Sequence, residues 1–180
     1  MPEKLKIGDE APNFDLTSTE DVLLMLRDEV PRVFVVLYFF GDPTQEPFRG
    51  NLAALEERRK ELLAQQTVLL GISATKMPIL KETQKDLHLV FPLLNDDRNF
   101  AEAYGIETPE ESAPKPALFL VGRDQRILWE ANPSNSIEIG LDEILVIVQK
   151  QPSQTANLPS AVVNRVVDWW VNRVRGARVA

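Results

Sequence analysis

Val33-Phe-Val-Val-Leu-Tyr-Phe-Phe40 is an unbroken apolar run rich in β-branched and aromatic residues. A run of this kind, too short for a helix, reads as a strand covered on both faces, as in a parallel sheet. The turn Gly41-Asp-Pro-Thr44 follows, and then a stretch from Pro47 to about Gln65 with Phe48, Leu52, Leu55 and Leu62 at helical spacing. Pro47 suits a first helical turn, where its missing N–H is not needed, and Gly50 weakens the helix slightly. Thr67-Val-Leu-Leu-Gly-Ile-Ser73 is a second buried-strand run. Strand, helix and strand in this order make one unit of an α/β layer fold.

Working outward, Met77 to Leu87 reads as a helix with Pro78 tolerated at its start, and Phe91-Pro-Leu-Leu94 as a short strand at an edge or strand start. Asn95-Asp-Asp97 can cap a helix from Asn99 to Tyr104, which Gly105 closes. Ala117 to Val121 and Arg126 to Glu130 flank Gly122-Arg-Asp-Gln125 as a hairpin, and Gly140 to Gln149 is the last helix of the body. Met25 reads as strand core. The charged stretch Glu56 to Glu61 reads as a solvated helix face, with Glu56 and Lys60 at a favourable spacing.

The chain divides as a domain over residues 1–149, a Gln/Pro/Ser/Thr-rich linker over 150–159 and an amphipathic helix over 160–175. Ser160 can cap that helix. Its Val162, Val163, Val166, Val167, Trp169, Trp170, Val171 and Val174 make an apolar surface wider than one stripe. Of the net charge of −7, the part from Leu158 onward carries four arginines and one aspartate, a local +3 that leaves −10 for the rest. Trp169 and Trp170 are therefore candidate binding residues. They would pack on the domain or across a homodimer, or against a protein partner; an anionic membrane surface is the less favoured alternative.

Composition closes several routes. The 180 residues include no cysteine, so disulfides, thiolate nucleophiles and thiolate metal sites are excluded. One histidine, His88, cannot make a multi-histidine metal site, and it reads as a structural or surface residue. Neither a metal nor another cofactor is expected. The negative net charge argues against nucleic acid as a partner. No apolar run approaches the ~20 residues that cross a bilayer. The charged opening lacks an apolar signal core, so the cytoplasm is the expected compartment.

Lys6-Ile-Gly-Asp-Glu-Ala-Pro-Asn-Phe-Asp-Leu16 resembles the opening of the peroxiredoxin family, the alkyl hydroperoxide reductase/thiol-specific antioxidant (AhpC/TSA) group. Val35 to Phe39 and Leu70 to Ser73 resemble its central strands. Asp86 to Asp96, Ala101 to Ile106, Phe119 to Val121 and Arg126 to Leu128 follow in the family's order. The resemblance implies a thioredoxin-like fold, a mixed central sheet flanked by helices, with the C-terminal amphipathic helix added.

It also implies where chemistry would sit: a Pro-x-x-x-Thr-x-x-Cys loop entering the first long helix, and an arginine near a later strand. The cysteine there attacks peroxide as a thiolate, its pKa lowered by the helix N-terminus and the arginine. In this chain the loop is Phe40-Gly-Asp-Pro-Thr-Gln-Glu-Pro-Phe48, and the cysteine register falls on Phe48 or Pro47. Registering Thr44 on the family threonine selects Pro47. The arginine register falls on Pro116, beside Lys115. Neither register restores the motif. The resemblance also places a cis-proline before the later strand, at Lys115-Pro116, where it would shape an edge for an extended peptide; the alternative is an ordinary loop proline.

Three functional readings follow. The preferred one is a peroxiredoxin-like binding or interaction protein, without thiol peroxidase activity, in a redox or stress context. Its degenerate pocket at Thr44, Pro47, Phe48, Lys115 and Pro116, with Asp42 and Glu46 as candidate binding residues, takes a ligand or peptide or is simply filled by Phe48. The second is an enzyme of changed chemistry using Asp42, Thr44 and Glu46; against it, these residue types favour turns and caps. The third is a partner-binding or membrane-peripheral module acting through the tail.

Overall fold

β3 (Phe34–Phe39) is buried along its whole length, and its side chains alternate between two cores. Val35, Leu37 and Phe39 enter one cluster, and Phe34, Val36 and Tyr38 the other. A strand with apolar residues on both faces belongs in the middle of a sheet, and β3 lies there. The computed structural model describes residues 4–30, 32–97, 99–106, 115–132 and 137–152, with Asn172.

Before β3 the chain forms β1 (Asp15–Thr17), β2 (Leu23–Met25) and α1 (Leu26–Glu29); after it come α2 (Phe48–Ala64), β4 (Thr67–Ser73), α3 (Met77–Asp86), β5 (Leu93–Asn95), α4 (Phe100–Ala103), β6 (Ala117–Val121), β7 (Ile127–Ala131) and α5 (Ile137–Lys150). The main sheet has the order β5-β4-β3-β6-β7. β3, β4 and β5 are parallel, with Phe34 opposite Thr67 and Phe39 opposite Ile72. β6 returns antiparallel to β3, and β7 antiparallel to β6. This is a mixed, thioredoxin-like α/β sheet. α2, α3 and α5 cover one face through Phe48, Leu52, Leu80, Leu141 and Ile144. The N-terminal segment, α1 and α4 cover the other through Phe14, Leu26 and Ala101, with Tyr104 just beyond α4.

Both sheet edges are partly closed, which removes templates for unwanted strand pairing. The β1–β2 hairpin, of which only Met25 reads as strand from the sequence, reaches β5 through a Ser18–Leu94 bridge and a Thr19 N–H to Leu93 C=O bond of 2.8 Å. At the other edge Ile127 N–H donates to Asp9 C=O at 2.9 Å.

Several expectations need correction. Met25 is half-buried rather than core, because the two-stranded hairpin turns its side chain towards Arg27, whose Nη2 lies 3.6 Å from the sulfur. β5 begins after Pro92, whose C=O accepts from Gly71 N–H. α5 starts at Ile137, ahead of the expected Gly140, since Ile137 is itself core. Glu56 pairs with Arg59 at 2.8 Å rather than with Lys60, and both side chains are largely buried. Its second carboxylate oxygen accepts from Val90 N–H at 2.8 Å, which ties α2 to the segment before β5. His88 is exposed and has a positive φ of 52° in the turn after α3. Most of the linker over 150–159 and all but Asn172 of the helix over 160–175 lie outside the described residues, Trp169 and Trp170 included.

Candidate functional site

The loop between β3 and α2 starts where Phe40 N–H donates to Ile72 C=O at 3.0 Å, the last rung of the β3–β4 pairing. Phe40 turns back onto the sheet and stacks on Tyr38, ring centroids 5.5 Å apart. Gly71 admits that ring: a Cβ there would lie 3.1 Å from Phe40 Cε1 and 2.6 Å from Leu93 Cδ2. The Gly41 C=O accepts from the hydroxyls of Ser73 (3.0 Å) and Thr75 (3.2 Å), which anchors the start of the loop to the end of β4.

Asp42 organises the turn. Its Oδ1 accepts from Thr44 N–H at 2.9 Å and from the Thr44 hydroxyl at 2.7 Å, and its Oδ2 accepts from Gln45 Nε2 at 3.2 Å. The Thr44 hydroxyl, then its N–H, hold the Asp42 carboxyl below the usual carboxylate range, with Gln45 helping. Glu46 Oε2 accepts from Gly50 N–H at 3.0 Å, covering a donor of the first turn of α2. Asp42, Thr44 and Glu46 are thus turn and cap residues, with Thr44 and Glu46 exposed.

Pro47 is exposed at the N-cap of α2, preceded by a cis Glu46–Pro47 bond. The Lys115–Pro116 bond, where the resemblance implies a cis-proline, is not cis. Phe48 is 4% exposed and sits in the same apolar cluster as Tyr38, Phe40, Leu52 and Phe91. Both candidate registers for a nucleophile therefore hold carbon side chains, one of them locked in the core. The Tyr38 hydroxyl accepts from Asn51 Nδ2 at 3.0 Å, and burial pushes its pKa up, so it stays a neutral phenol.

Pro116 is buried and Lys115 exposed at the entry to β6. Lys115 borders a cavity of about 30 Å³ with Phe39, Phe40, Ser73 and Asp96. That volume suits something of water size. Neither Thr44, Glu46 nor Phe48 lines it. The structure thus brings Lys115 near Phe40, and neither Asp42 nor Glu46 lines that cavity. Ser73 and Asp96 were not among the candidates from sequence, although a serine ending a buried strand run is a signal of sorts. Asp96 is consumed structurally: it accepts from Phe100 N–H (2.7 Å) and Ala101 N–H (3.0 Å), capping α4.

Residues 7–130 match the AhpC/TSA family. The chain belongs to that family. A chloroplastic 2-cysteine peroxiredoxin of Chattonella marina var. antiqua is 26% identical over 156 residues, 81% of this chain and 80% of that one. Among solved structures, peroxidoxin BcpB of Mycobacterium tuberculosis superposes with a TM-score of 0.75 at 19% identity, covering 83% of this chain and 99% of that one. AhpC of Mycobacterium tuberculosis gives a TM-score of 0.67 at 22% identity, covering 82% and 98%. These structural likenesses carry the fold. The chloroplastic relative is named for two cysteines, and this AhpC/TSA chain has none.

Proposed function

We propose that this AhpC/TSA protein has left thiol peroxidase chemistry and acts by binding or assembly in a redox or stress context. The observation that carries the reading is the absence of any cysteine from the 180 residues. Without a thiolate no sulfenic acid forms, and the three methionines, although they can be oxidised to sulfoxides, supply no thiolate nucleophile. The burial of Phe48 supports it, since the space is filled by core rather than left as an open nucleophile site. The second reading, catalysis by Asp42, Thr44 and Glu46, is disfavoured because each is engaged in the turn or cap.

The tail is the proposed assembly element, with Trp169 and Trp170 supplying apolar area and the arginines charge complementary to an acidic body. A homodimer or a protein partner is the proposed occupant. No helix among the described residues is long and apolar enough to cross a membrane.

The test is peroxide consumption by purified full-length protein supplied with thioredoxin or dithiothreitol, beside a peroxiredoxin control. We expect none above background. Sustained turnover that copurifies with the protein would overturn the proposal.

A further inference from the structure

Arg123 stands at the opposite end of the sheet from the β3–α2 loop, about 20 Å away at the rise of a strand. It follows β6, whose Val121 pairs with Val35 beside the start of β3. Its guanidinium lies over the Phe34 ring, 4.7 Å from the centroid, and Nη2 donates to Gln66 Oε1. Nε is shut away from water and has no hydrogen-bond partner. Among the described residues no carboxylate forms an ion pair with this side chain, whereas Arg58 and Arg59 are paired; Arg126 also has no ion pair, but it is exposed to water. A partly desolvated cation without a counter-charge is unfavourable in a folded protein. Burial accordingly lowers the Arg123 pKa from its ordinary value.

A cavity of about 170 Å³ opens beside it, lined by Phe34, Arg123, Asp124, Leu128, Gln151 and Pro152, with Gly122 between strand and turn. An enclosed apolar cavity of about 150 Å³ holds a benzene ring, and this one, open to solvent on one side, has room for a body of that size. Phe34 and Leu128 offer apolar wall, and Arg123 offers the charge. Asp124 also lines the space, but it is exposed and its Oδ1 already accepts from Arg126 N–H at 3.1 Å. A carboxylate on the rim opposes a doubly charged ligand more than a singly charged one.

We propose that this cavity is a binding site for a small monocarboxylate with an apolar body, its anion beside the Arg123 guanidinium and its body against Phe34 and Leu128. An anion there supplies the counter-charge that the fold omits, in the charge-assisted form that guanidinium favours. The site is separate from the loop of the previous proposal, and its success or failure is independent of peroxide turnover.

The test is isothermal titration of the full-length protein with sodium benzoate, with benzyl alcohol as the neutral counterpart and inorganic phosphate as the doubly charged one. Saturable benzoate binding is expected, at least tenfold tighter than either comparison ligand. Arg123→Gln should weaken benzoate binding at least tenfold, and Arg126→Gln, at an exposed arginine on the same turn, should leave it unchanged. Leu128→Phe keeps the charge, narrows the cavity and should also lose binding, which covers the case in which Arg123→Gln does not fold. Absence of benzoate binding, equal binding of benzyl alcohol or phosphate, or unchanged binding by Arg123→Gln or Leu128→Phe would each overturn the proposal.

Discussion

The two ends of β3 treat polar groups in opposite ways. At its C-terminal end, where the family places its chemistry, the polar side chains serve the backbone: Asp42 the turn, Glu46 the start of α2, Ser73 the Gly41 carbonyl, Asp96 the start of α4. At its N-terminal end Arg123 is stacked and partly bonded, with a buried nitrogen left over and a cavity beside it. Groups consumed by caps and turns add stability and are unavailable for reaction. A guanidinium that lines a cavity and has no carboxylate paired with it among the described residues is a charge that an anionic ligand can answer. The lesson is that the inherited location of chemistry in a fold and the place with unsatisfied chemistry need not coincide.

This contrast predicts that changes at the loop end alter stability and introduce no peroxide reactivity. The largest effect is expected from Phe48→Ala, a loss of about 3 kcal/mol in denaturant unfolding, because an aromatic side chain is removed from a packed cluster. A loss well below about 1 kcal/mol would mean that Phe48 is not part of the core. Phe48→Cys restores a thiol, but Pro116 stands at the arginine register; we expect no peroxide consumption from it in the same assay. Glu56→Ala removes both the Arg59 ion pair and the acceptor of Val90 N–H. It should cost about 2 kcal/mol, read from the urea midpoint, and a neutral result would show that the tether from α2 is dispensable.

Gly71→Ala places a Cβ 2.6 Å from Leu93 Cδ2 and 3.1 Å from the Phe40 ring. Overpacking there should lower stability by about 1 kcal/mol, and an unchanged melting temperature would show that the aromatic layer yields freely. Asp42→Ala is the smallest, under about 1 kcal/mol, since the carboxylate serves one short turn whose partners Thr44 and Gln45 are exposed. The folded carboxyl titrates below its unfolded value, so its contribution is fully present above about pH 4 and fades as pH falls through the lower folded value. Measured against the wild type from pH 7 to pH 2, the difference in stability should therefore shrink in acid. A difference that grows in acid would contradict the assignment of the Thr44 and Gln45 bonds.

Much of the fold was legible because the decisive elements have strong periodicity. β3 and β4 are continuous apolar runs, and α2 shows Phe48, Leu52, Leu55 and Leu62 at helical spacing. Of the β1–β2 hairpin only Met25 was legible as strand. The two strands have three residues each, too short for an alternation to register, and part of what holds them is the edge of β5. The partner of Glu56 also escaped: spacing along the helix favoured Lys60, but the second oxygen is directed to Val90 N–H, 34 positions away. At the loop, residue types already pointed to turns and caps, and the contacts agree. Arg123 drew no notice in a hairpin turn, because Gln66 lies 57 positions earlier and no local pattern brings them together.

What the amino-acid sequence determined by itself was chemistry by exclusion and architecture by pattern. A chain with no cysteine cannot form a thiolate in any conformation, and continuous apolar strands must be covered on both faces wherever they pack. What only the tertiary structure decided was the state of individual polar groups. Whether Asp42 caps, whether Phe48 is filled in or open, and whether Arg123 has a counter-charge depend on neighbours far away in the chain. Hydrogen bonding and desolvation act over a few ångströms in space, and a linear sequence does not record those distances.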